Sequence, residues 1–163
     1  MTAYDAEQWH DLFVASAGAA AALAGLVFVA VSINIRQILE HRGMPERALQ
    51  AVLLLLGAVV VSLFGLAPQS STALGIELLV CGLALTAFFA ASARTTLRDT
   101  RGHPSWLLSR LIATMPGYLP YVVAGISLIA GAGGGLRWLL AGIVGALIGA
   151  VVNAWVLLVE ILR

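Results

Sequence analysis

Met115-Pro116-Gly117-Tyr118-Leu119-Pro120-Tyr121 is the run whose residue types are best suited to chemistry. Two prolines four residues apart remove two amide donors, and the glycine between them loosens the backbone. Within an apolar stretch this predicts a kinked or broken helix. Irregular backbone at membrane depth survives only where protein buries it or where it lines a water-filled cavity, and transporters place binding sites at such interruptions. Pro116, Gly117, Tyr118, Pro120 and Tyr121 are therefore candidates for lining a pathway for small ions, with two phenolic hydroxyls beside the disturbed carbonyls. A proline kink that serves packing alone produces the same pattern. Glu77 is the second candidate, because a carboxylate inside an apolar run is costly and by default marks function. It lies near one end of its run, where pairing with Arg137 or a place among lipid headgroups accounts for it equally well. Arg110 and Glu160 form a second expected ion pair, structural in character.

Other chemistries find no support. The three histidines, His10, His41 and His103, fall outside the apolar runs, so a buried nucleophile would lack its base. No cluster has metal-ligand spacing and no glycine loop is of a nucleotide-binding type, so no cofactor is expected. Cys81 is alone in the chain and excludes an internal disulfide. An enzyme is the least supported class. All nine basic residues are arginines that punctuate the ends of apolar runs, a pattern unlike a nucleic-acid surface.

The elements that must position these residues follow from composition. Of 163 residues, 61% are hydrophobic and 10% charged, with a mean hydropathy of +0.99. A domain this small cannot hide such a surplus from water, so its solvent is lipid. Apolar runs at residues 12–35, 48–67, 73–93, 111–131 and 136–162 predict a single all-α membrane domain of five transmembrane helices. The fourth carries the Pro-Gly-x-x-Pro break, and the third is able to continue as helix toward Asp99. Short-loop arginines stay on the cytoplasmic side. Arg36, Arg42 and Arg47 lie in one loop, with Arg94, Arg98, Arg101 and Arg110 in or beside another. The expected orientation is N-out and C-in, with Asp5, Glu7, Asp11 and Glu77 facing outward and Gly131 to Gly135 forming a flexible outer link.

Helices in lipid meet through rows of small residues. Gly145, Gly149 and Asn153 form such a row on the last helix, beside Gly142, Ala146, Ala150 and Ala154. The first helix carries Gly18, Ala22 and Gly25, and the second Ala51, Ala58 and Gly65. Internal packing and an oligomer interface are both open for these rows; interhelical hydrogen bonds are expected of Asn34 and Asn153. The stretch from Trp9 to Val14 and from Gly25 to Ile35 resembles the first helix of a group of small bacterial membrane proteins. The resemblance implies a bacterial cytoplasmic (inner) membrane location and carries no activity or site. Together these features lead to the expectation of a homo-oligomeric, channel-like membrane protein for small ions. The alternative is a non-conducting scaffold or regulatory subunit docked on another membrane protein.

Overall fold

The computed structural model describes residues 3–40, 43–99, 112 and 114–161, and they are helical with short turns. A 3-10 turn, Ala6–Trp9, leads into α1, His10–Ile33. Next come α2, Ile35–Glu40, and α3, Met44–Leu66. The chain continues with α4, Ser71–Asp99, a second 3-10 turn, Met115–Gly117, then α5, Leu119–Ala130, and α6, Leu136–Ile161. Four stretches are long and apolar enough to cross a membrane: Ala6–Ile33, Met44–Leu66, Ser71–Arg94 and Leu136–Leu157; Met115–Ala130 is a shorter apolar helix. The molecule is a multi-pass membrane protein.

Element boundaries reflect local chemistry. The first long helix ends at Ile33, two residues before the expected limit, where Asn34 leaves helical geometry before α2 starts at Ile35. α3 begins four residues earlier than expected because Gly43, in the left-handed region at φ 86°, reverses the chain and Pro45 fits the first turn. α4 does run on to Asp99. α3 is the centre of the bundle, packing on α1, α4 and α6, while α5 lies between α4 and α6. The core along these contacts holds Phe13, Leu54, Leu55, Val61, Leu78, Tyr121 and Ile143.

Local geometry overrides two expectations from residue type. Among the described residues Asn34 and Asn153 do not bond across helices: each amide donates to the carbonyl four residues earlier, Ala30 at 2.9 Å and Gly149 at 2.9 Å. That carbonyl lies within reach of a short side chain without any partner helix. Nor is the glycine run a loose link. Gly131 closes α5 in the left-handed region, and Ser127 Oγ accepts from the Gly135 amide at 2.8 Å while donating to the Ala132 carbonyl. The N-terminal segment fastens the same turn: Leu136 donates to the Ala3 carbonyl at 2.8 Å and Gly134 to the Tyr4 hydroxyl at 3.1 Å.

Candidate functional site

The two prolines each lie at the start of a helical segment, one on either side of Tyr118. Pro116 sits in the first turn of the 3-10 segment and Pro120 in the first turn of α5, where a missing N–H removes no hydrogen bond. Between them Tyr118 has φ −137° and ψ −33°, outside helical geometry. The backbone is stitched by Tyr118 N–H to the Met115 carbonyl at 3.3 Å and Tyr121 N–H to the Tyr118 carbonyl at 3.1 Å.

Protein covers Gly117, Tyr118 and Tyr121 of this irregular segment, while Met115, Pro116 and Leu119 are exposed. A Cβ on Gly117 would lie 2.7 Å from Leu54 Cδ2 and 2.9 Å from the Ala146 Cα, and a Cβ on Gly145 would collide with the Pro116 carbonyl. Tyr118 is buried and stacked on Phe89, with ring centroids 4.8 Å apart and planes 10° from parallel. Tyr121 is fully buried with its ring against Gly142. Its hydroxyl has no hydrogen-bond partner among the described residues.

Glu77 belongs to a different place. Its Oε2 accepts from Gln69 Nε2 at 2.7 Å, and the same nitrogen donates to the Phe64 carbonyl at 2.8 Å. The carboxylate is thus held by the turn between α3 and α4, in place of the expected Arg137, which is exposed on the first turn of α6. A short, nearby amide reaches the carboxylate without spanning two helices. α4 meets α5 through Gly75 and Gly82; two residues beyond Gly75, about 200° round the helix, Glu77 is on the opposite face. The structure therefore does not bring Glu77 together with residues 116–121. Arg110 and the side chain of Glu160 lie outside the described residues.

Gly149 and Asn153 are buried and Gly145 is covered by Pro116, so the α6 row serves packing inside the chain. Gly18 and Gly25 differ: nothing lies within 4 Å of a Cβ on either. Three contacts were missed in the sequence. Gly75, Gly82 and Gly125 let α4 and α5 touch, and their small-residue signal is of the kind used for the other helices. Ser16 and Ser62 hydrogen-bond at 2.9 Å between α1 and α3, fully inside the bundle. At the end where α1 begins, Asp5, Glu7, His10, Pro68 and Gln69 line a polar cavity of about 470 Å³.

This arrangement, an apolar bundle with a protein-filled break and one open small-residue face, defines a multi-pass helical membrane protein. The chain matches no family model, no curated protein and no solved structure.

Proposed function

We propose that this chain is a non-catalytic membrane protein that works by association, with α1 as its docking helix and a second copy of the chain as the first partner. One observation carries this: the rows Ala51–Ala58–Gly65 and Gly142–Ala146–Ala150 are buried within the chain, whereas Gly18 and Gly25 face open space. Small residues let helix backbones approach in lipid. The test is the mass of the detergent-solubilised protein by light scattering. An oligomer that becomes monomeric and stays helical in Gly18→Leu, Gly25→Leu supports the reading; a wild-type monomer that retains no other membrane protein ends it.

A second reading is the ion pathway, and the polar cavity beside Asp5, Glu7 and His10 favours it, since acidic mouths attract cations. With Gly117, Tyr118 and Tyr121 packed inside each chain, such a path runs between copies. Flux from liposomes, lost in Glu77→Gln or in the α1 double variant, tests it.

Both readings share one topology: five spans, N-out and C-in, in a bacterial cytoplasmic membrane. The clustering of Arg36, Arg47 and Arg94 at one end supports the orientation. At about 1.5 Å per residue, Met115–Ala130 reaches roughly 24 Å, so the fifth span needs the residues just before it, of which Ile112 and Thr114 are helical. Reporter fusions at each loop check the topology.

A further inference from the structure

Residues 3–9 cross one end of the bundle and are clasped at residues 134–136. The Leu136 amide donates to the Ala3 carbonyl at 2.8 Å and the Gly134 amide to the Tyr4 hydroxyl at 3.1 Å. The Ala3 carbonyl also fills the space that a Cβ on Gly135 would need. Tyr4, Ala6 and Trp9 rest against the core, yet all of residues 3–9 remain half-buried or exposed. α1, by contrast, is pinned near its start: Phe13 is fully buried with its ring on Gly65, and Ser16 bonds Ser62 at 2.9 Å. Where the two regimes meet, Trp9 has φ −108° and ψ 5°, outside helical geometry. Its indole N–H is buried without an acceptor among the described residues. We propose that residues 3–9 form a hinged strap: clasped, it supplies one wall of the polar cavity, and released, it swings out about Trp9 while α1 stays in place.

The strap carries its own internal bonds and moves as one piece, since Asp5 accepts from the Glu7 amide at 3.2 Å and from the Gln8 side chain at 2.9 Å. A segment with few buried contacts opens locally at low cost. The unpartnered indole donor penalises the closed form, and water satisfies it in the open one. The consequence is electrostatic. The cavity of about 470 Å³ lies between Asp5, Ala6, Glu7 and His10 on one side and the end of α3 with Pro68 and Gln69 on the other. Both carboxylates of its lining, Asp5 and Glu7, ride on the strap, so the clasp decides whether this mouth is acidic. Use of the strap as a gate rests on the ion-pathway reading, in which acids at a mouth draw cations; its motion does not.

Hydrogen exchange of the full-length protein in lipid nanodiscs, followed by mass spectrometry, reads the motion. Tyr4→Phe removes one clasp bond, and Gly135→Ala puts a methyl in the place of the Ala3 carbonyl. Each should speed exchange several-fold at residues 3–9 and leave residues 13–20 unchanged. Gly131→Ala is the control, because it adds the same methyl to a left-handed glycine with open space around it; it should leave residues 3–9 unchanged. The charge of the mouth is read in a Cys81→Ala, Ala67→Cys protein, Ala67 being an exposed residue of the cavity lining. Its thiol should react faster with a positively than with a negatively charged methanethiosulfonate. Tyr4→Phe should lower that preference toward the level of an Asp5→Asn, Glu7→Gln variant. Unchanged exchange at residues 3–9 in both clasp variants overturns the proposal, as does a parallel rise at residues 13–20, which would deny the hinge at Trp9. A full preference that survives Tyr4→Phe despite faster exchange overturns the electrostatic role. Absent ion flux, with both readouts as expected, overturns the pathway reading and leaves the strap standing.

Discussion

Gly75 and Gly125 meet across α4 and α5 so closely that a Cβ on Gly125 would sit 2.7 Å from the Gly75 carbonyl oxygen, and one on Gly75 3.0 Å from the Gly125 oxygen. Because the obstacle is backbone on both sides, no side-chain rotation relieves it. Gly125→Ala should therefore destabilise the protein by about 1–3 kcal/mol, seen as a lower unfolding midpoint in detergent. Gly25→Ala, with open space around it, should leave that midpoint in place. Equal losses in the two variants would contradict this account of the packing.

Tyr121 offers the opposite sign. Its hydroxyl is buried without a partner among the described residues, and an unsatisfied buried polar group costs about 1–3 kcal/mol. Tyr121→Phe keeps the ring over Gly142 and should raise the unfolding midpoint. A fall would mean that the hydroxyl is bonded in the membrane.

Gly145→Leu should fail to fold rather than lose a partner, because its side chain would occupy the place of the Pro116 carbonyl. Size-exclusion chromatography should show aggregate. The control is Gly18→Leu, expected to elute as a folded helical protein; if Gly145→Leu does the same, the α6 row is not an internal contact.

Ser16 and Ser62 form a buried hydrogen bond between α1 and α3, and such bonds average about 0.6 kcal/mol in membrane double-mutant cycles. Alanine substitutions taken singly and together, followed by reversible unfolding, should return a coupling of that order. Strict additivity would show that each hydroxyl is satisfied by its own helix, through the carbonyls of Leu12 and Ala58.

The long helices were legible because apolar length is a strong signal in a chain with little polar competition. What eluded the reading was mostly a matter of relative rotation. Pro116 and Pro120 announce disturbed helix equally whether they kink one continuous helix or lie at the starts of a 3-10 turn and of α5, and only the surrounding backbone distinguishes these. Glu77 and Tyr121 are both expected beside one pathway because residue type says nothing of helix rotation, yet the glycines that seat α5 on α4 put Glu77 round the back. Gly75 and Gly125 are inconspicuous singly; their meaning arises from facing each other. The firm turn at Gly131 to Gly135 depends on Ser127 and Tyr4, and distant sequence gives no hint that a tyrosine near one end anchors a glycine 130 residues later.

The bonds joining Ala3 and Tyr4 to the start of α6 are a latch between the earliest and the latest parts of the bundle to be synthesised. Until the final hairpin has been delivered to the correct side of the bilayer, the N-terminal turn has nothing to fasten to. An error in placing the last helix would therefore register as looseness at residues 3 and 4, far from it in sequence.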